Sequence, residues 1–152
     1  MDAALATAAA RTAEAARDRF GVRRAALFWR EGDELTCIAS AAEAGTEGWL
    51  GRTLPAGVGM AWRAVAEGRP VWSANLPADP RVPISAWLRE RMEAEGLRVV
   101  AAAPLRVTGT VRGALGLLDA AGRRYEDEDL RRLGRFADEA SAALERVIAP
   151  PR

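Results

Sequence analysis

Apolar residues recur along the chain with two periods. Leu5, Ala9, Ala13 and Ala16 are spaced by threes and fours, which predicts a helix over residues 3–19, with Asp2 as N-cap and Gly21 as terminator. Residues 23–30 and 34–40 alternate instead. Ala25, Leu27 and Trp29 oppose Ala26 and Phe28, and Leu35, Cys37 and Ala39 share a face of the second strand, after a turn at Glu31-Gly32-Asp33. Residues 43–53 read as a glycine-bearing loop. A short helix is predicted over 60–67, a short edge strand over 70–73 behind Pro70, and a proline-rich loop over 75–83. Helical spacing returns over 84–95 through Ile84, Trp87, Leu88 and Met92, and Gly96 ends it.

Residues 97–107 and 111–119 form a predicted hairpin about Thr108-Gly109, apolar on both faces. Leu97, Val99, Ala101, Ala103 and Leu105 lie on one side, Val100 and Ala102 on the other. Strands of that kind are covered twice. The terminal helices are expected as one cover and the 60–95 region as the other. The last helix, over 127–147, carries Leu130, Leu133, Ala137, Ala140, Leu144 and Val147 as its apolar stripe. Its first turn is acidic, as the helix dipole favours, and Pro150-Pro151 is expected to end it. A pocket is expected between the sheet and the loop-rich lid.

Composition narrows the chemistry. The chain has 152 residues, 49% hydrophobic, enough for one domain with a buried core and no staple. Its 22 basic residues are all arginine and are interspersed with 21 acidic ones, for a net charge of +1, so neither nucleic acid nor a membrane is the expected partner. There is no His and no Lys, hence no imidazole base, no His-ligated metal or haem, and no Schiff base. The single cysteine, Cys37, excludes an intrachain disulfide and fits a cytoplasmic location. No targeting segment or membrane span is read in the chain.

Three motifs are weighed against plain structure. Gly57-Val58-Gly59 before a helix lacks the rest of a phosphate loop and reads as a tight turn. The acidic run Glu126–Asp129 pairs with Arg131 and Arg132 on a solvated helix face. Five tryptophans are the sharpest anomaly: Trp62 and Trp72 read as packing, while Trp49 and Trp87, on a loop and a lid helix, are equally suited to lining an aromatic pocket.

An ordered series of landmarks runs through Leu54-Pro55, Gly57-x-Gly59, Gly68-x-Pro70-Val71, Asp79-Pro80-Arg81, Gly96-Leu97-Arg98, Pro104-Leu105 and Gly113-x-Leu115-Gly116. Together these resemble the GAF family of small-molecule sensor domains. The resemblance extends more weakly to residues 23–40 and 125–147. It implies one GAF/PAS-like α/β (α+β) domain over residues 1–152: an N-terminal helix over 2–20, sheet and lid over 23–119, and a C-terminal helix over 126–148. The sheet is expected to be antiparallel with five or six strands, terminal helices on one face and a lid of short helices and loops on the other.

The resemblance also implies a function. A small ligand would bind in the lid pocket, with Trp49, Met60, Trp72, Asn75, Asp79, Trp87 and Val99 as the expected lining. Its presence would be relayed through terminal helices that pair in a homodimer to an output domain such as a histidine kinase, a cyclase or a transcription regulator. The alternative is a structural dimerisation module with no ligand. An enzyme working with carboxylates or arginine alone is the remaining reading, disfavoured because general acid–base work most often uses His. The family's bilin, haem and metal branches are expected not to apply, for want of His and of a lid-region Cys. The cyclic-nucleotide branch needs a Lys. Asn75-Leu76 and Gly96-Leu97-Arg98-Val99 depart from the family's usual Asp and Ser, which implies a ligand less polar than a cyclic nucleotide, or none.

Overall fold

A computed structural model describes residues 2–43 and 48–148. The chain begins with α1 (Ala3–Phe20), started by the Asp2 carboxylate accepting from the Ala4 N–H at 2.6 Å and stopped by Gly21 in the left-handed region. Two strands follow, β1 (Arg24–Glu31) and β2 (Glu34–Ala42), then a three-residue strand β3 (Thr53–Pro55) that begins at the last residue of the expected loop. The lid is built from α2 (Met60–Glu67), a 3-10 turn at Leu76–Ala78 and α3 (Ala86–Glu95), with β4 (Val71–Ser73) between α2 and the turn. The hairpin β5 (Val99–Val107) and β6 (Thr110–Asp119) leads to α4 (Asp127–Ile148). Pro150-Pro151 lies outside the described residues. Helix α3 starts at Ala86 rather than residue 84 because Ser85 is its N-cap, accepting from the Leu88 N–H at 3.2 Å.

The six strands form one antiparallel sheet in the order β3-β2-β1-β6-β5-β4. One face carries the terminal helices. Leu5, Ala9, Ala13 and Ala16 of α1 and Leu133, Ala137, Ala140 and Leu144 of α4 bury against Leu27, Ala101, Ala103, Leu115 and Leu117. The alanine stripe lets α1 lie close to both the sheet and α4. The other face meets the lid: Phe28, Leu35, Cys37, Val100, Ala102, Ala114 and Leu118 pack under Leu54, Met60, Leu76, Leu88 and Met92. Each large side chain so buried contributes about 1.5–3 kcal/mol.

Gly113 fixes how closely β6 lies to β1. A Cβ there would sit 2.1 Å from the Phe28 carbonyl oxygen, so no side chain fits without moving one strand. Two facial assignments differ from the sequence reading. Leu27 pairs with Ala39 and Phe28 with Cys37, so Ile38 is an extra residue in β2, a bulge. Leu35 and Cys37 therefore face the lid while Ile38 and Ala39 face the helices, instead of Ala39 following Leu35 and Cys37. Leu97, just ahead of β5, turns to the lid and leaves the face of Val99.

Candidate functional site

The expected pocket is the space between the sheet and the lid. Its strand floor is Phe28, Val100, Ala102, Gly116 and Leu118, and its roof and walls are Trp49, Leu54, Met60, Leu76 and Leu88. Its volume is about 20 Å³. That is room for about one water, so the chain's own side chains fill the chamber.

Trp49 is the largest of them. Although it sits on a loop it is only 1% exposed. Its Nε1–H donates to Glu95 Oε2 at 2.7 Å, the Arg24 guanidinium lies 4.9 Å from its ring centre, and Trp87 meets it edge-on at 5.3 Å. Glu95 joins these groups. Its other oxygen, Oε1, accepts from Arg24 Nε at 2.9 Å, and Arg91 Nε reaches Oε2 at 3.3 Å. Arg24 also donates to the Ser40 hydroxyl. The Arg24 and Glu95 side chains are 3% and 8% exposed, so this is a buried ion pair with most of its hydrogen-bonding groups engaged. Burial pulls the Arg24 guanidinium below its ordinary value, and the hydrogen bond to Glu95 opposes that pull.

Of the residues expected to line the site, Trp49 and Met60 do, and Trp87 is half-buried against Trp49 at the lid. Trp72 and Val99 do not. Both belong to the core under the terminal helices, where Trp72 packs on Tyr125 at 5.7 Å. The reason is register: Trp72 pairs with Ala101, so it shares the face of Ala101 and Val99, and its neighbours Val71 and Ser73 point to the lid side. Asn75 is exposed ahead of the 3-10 turn. Asp79 braces its loop, accepting from Ser73 Oγ at 2.7 Å and from the Arg81 N–H and guanidinium. The Arg81 hydrogen bonds first, with Ser73 adding to them, hold the Asp79 carboxyl well below the usual carboxylate range.

Arg24, Glu95 and Ser40 are not among the residues expected from the sequence. The one signal for Arg24 is a charge directly before five apolar residues, Ala25 to Trp29. The local signal for Glu95 is its i,i+4 spacing from Arg91; its other partners come from β1 and from the Trp49 loop.

Other candidate chemistry is accounted for. The Val58 N–H closes a turn on the Pro55 carbonyl at 3.0 Å, and the Gly59 N–H donates to the Pro83 carbonyl at 2.8 Å, so both are used within the fold. In the cleft beside β4, Arg63 and Arg69 pair with Glu67 and Arg81 with Asp79. Cys37 is buried, and burial pushes its thiol up to about 12, far from a reactive thiolate. Among the described residues no group of His, Cys, Asp and Glu could hold a metal ion, and no helix is long and apolar enough to cross a membrane.

The sequence profile of the GAF domain matches residues 2–145. No curated protein sequence matches the chain. Among solved structures, the GAF-B domain of DevS from Mycobacterium smegmatis is 22% identical with a TM-score of 0.74, covering 95% of this chain and 96% of that one. A phycocyanobilin-bound GAF domain from a cyanobacterial phytochrome is 17% identical with a TM-score of 0.71, covering 97% of this chain and 88% of that one. A free methionine-R-sulfoxide reductase from Neisseria meningitidis, in complex with its substrate, is 19% identical with a TM-score of 0.72, covering 95% of this chain and 81% of that one. At these identities the likeness is one of fold.

The phytochrome match corrects the expectation that the bilin branch does not apply. That expectation rested on the absence of His and of a lid cysteine, which removes ways of attaching a chromophore and leaves unchanged the fold that houses one in that relative. What bears on occupancy is the size and closure of the chamber, and residue content alone does not decide it. The reductase match shows likewise that this fold serves enzymes as well as sensors.

Proposed function

The chain belongs to the GAF domain family, and from that premise we propose that it is a sensory and regulatory module of signal transduction. In this reading the state of the sheet–lid chamber is conveyed through the sheet to α1 and α4, which pair with a second copy and act on an output domain. A histidine kinase, a cyclase or a transcription regulator is the kind of output the family implies. The observation that carries the reading is the Arg24–Glu95–Trp49 cluster. It ties the first strand of the sheet to the end of α3 and to the aromatic roof of the chamber. A change at the roof therefore pulls on a strand whose opposite face supports α1. Coupling of this kind amounts to about 1–3 kcal/mol between the two sites.

The support for pairing is the outer side of α1, where Ala3, Ala4, Thr7 and Ala10 are exposed and small enough for another helix to come close. A catalytic role is set aside in this reading because the chain has no His or Lys and its one thiol is buried. A second reading, a structural pairing module with no ligand, is favoured by the chamber's volume of about 20 Å³.

Two measurements test these readings. Light scattering across a concentration series is expected to report a dimer, and a monomer at every concentration would remove the relay. Native mass spectrometry of freshly purified protein is expected to find a small molecule retained. A dimer that retains none, and whose melting is moved by no metabolite, is the structural module instead.

A further inference from the structure

We infer that Trp49 is a displaceable plug: its indole holds the place of a flat aromatic ligand with an N–H donor, which enters the chamber as Trp49 turns out. The inference rests on the lid chamber being the sensing site and specifies the chemistry of what it takes.

Three observations converge on it. Among the larger Phe28, Val100 and Leu118, the sheet face beneath the lid carries four small residues, Ala26, Ala102, Ala114 and Gly116, above which an aromatic ring has depth. Trp49, a loop side chain, is the largest member of the roof that closes the chamber to about 20 Å³. The contacts Trp49 makes are those that would recognise a separate aromatic molecule. Glu95 accepts its N–H at 2.7 Å, Arg24 approaches its ring at 4.9 Å, and Trp87 closes its edge at 5.3 Å, all three supplied by other elements. Glu95 and Arg24 are held by each other whether or not the indole is present, so the recognition set is preorganised.

The third observation is the arm that carries Trp49. Gly48 and Gly51 bracket it with φ of 110° and 84°, a region open to glycine and strained for other residues. At the far end of the arm, Gly51 N–H donates to the Cys37 carbonyl at 2.9 Å, Cys37 N–H to the Arg52 carbonyl at 2.8 Å and Arg52 N–H to the Trp49 carbonyl at 3.0 Å, so that end is a turn fixed to β2. Between the two glycines, Trp49 is buried and Leu50 is 69% exposed. One hydrophobic side chain points in and its neighbour points out, so turning Trp49 out to solvent works against one turn bond, from the Arg52 N–H to the Trp49 carbonyl, and against no strand pairing.

The probe is indole itself. In Trp49→Gly the vacated space is a cavity of the order of 150 Å³, walled by Trp87 and by the Arg24–Glu95 pair, a size that admits a small aromatic ring. Millimolar indole is expected to bind one-to-one by calorimetry and to raise the melting temperature by several degrees. Trp72→Gly, on the opposite face of the sheet, should show neither effect. Benzothiophene, which lacks the N–H, is expected to bind Trp49→Gly at least tenfold more weakly. In the wild-type chain labelled with 5-fluorotryptophan, the Trp49 resonance, assigned through Trp49→Phe, is expected to move to a solvent-exposed position as indole is added.

A Trp49→Gly protein that melts cooperatively yet ignores indole overturns the proposal. So does a wild-type Trp49 resonance that stays put at saturating indole, and that arm decides alone if the variant does not fold. A metabolite found in the wild-type chamber with Trp49 still buried would leave the sensory function standing and the plug fallen.

Discussion

Arg24, at the start of β1, and Glu95, the last residue of α3, lie 71 residues apart and meet at 2.9 Å, Nε to Oε1, with both side chains almost out of solvent. Removing one partner strands the other. Glu95→Ala is expected to cost about 3–5 kcal/mol in urea unfolding, because Arg24 is left buried and charged. The double variant Arg24→Met/Glu95→Leu should recover much of that loss. If it is instead as unstable as the sum of the two single variants, the pair is not the coupled unit the geometry describes.

Gly113 and Gly116 sit on the same strand and predict opposite outcomes. A Cβ on Gly113 would meet the Phe28 carbonyl oxygen at 2.1 Å, and backbone cannot swing aside as a side chain can. Gly113→Ala is expected to cost about 3 kcal/mol or more, or to abolish folding. At Gly116 the nearest atom is the Phe28 ring at 3.7 Å, an ordinary contact. Gly116→Ala should stay within about 1 kcal/mol of the wild type in thermal melts.

These two glycines also show what the chain's pattern reveals and where it stops. The four helices are legible because their apolar stripes are long enough to display a period, and because Asp2, Gly21, Gly68 and Gly96 mark ends. Thr53–Pro55 and Leu76–Ala78 are too short to have one, so neither reads as an element. The bulge at Ile38 defeats alternation: one extra residue reverses every facing that follows it. Trp72 reads as a lid residue because it lies among lid residues in sequence, yet its face is set by pairing with Ala101, a long-range register that a single strand does not carry. The Arg24–Glu95–Trp49 cluster is invisible for the same reason, since its members come from three separate stretches of chain.

Tyr125 has its hydroxyl buried with no hydrogen-bond partner among the described residues, and its ring packs on Trp72 with the Arg123 guanidinium 5.5 Å from its centre. Burial pushes this phenol up to about 12, so it is neutral at any ordinary pH and gains nothing from ionising. An unsatisfied buried hydroxyl costs about 1–3 kcal/mol. Tyr125→Phe keeps the ring and removes the orphan group. It is expected to leave stability unchanged or raise it by about 1 kcal/mol, and a clear drop in melting temperature would mean that the hydroxyl has a partner.

Asp79 makes stability depend on acid in a direction that can be worked out in advance. Its carboxylate accepts from Arg81 Nε at 3.0 Å, from Arg81 Nη2 at 2.7 Å and from Ser73 Oγ at 2.7 Å, and these bonds hold its folded value below the ordinary 3.8. The unfolded chain takes up the proton first as the pH drops. The stabilisation from Asp79 is therefore fully present above about pH 4 and declines as the pH falls through and beneath 3.8 toward the lower folded value. Arg81 is 64% exposed, so solvent discounts its share of the interaction. Asp79→Asn is expected to lose about 1–2 kcal/mol at pH 7, chiefly through the weakened hydrogen bonds. Measured in urea from pH 7 to pH 2, the gap between wild type and variant should hold steady down to pH 4 and then narrow. A gap that stays constant through the acid range would mean that the charge on Asp79 contributes nothing to the brace between β4 and the loop that follows the 3-10 turn.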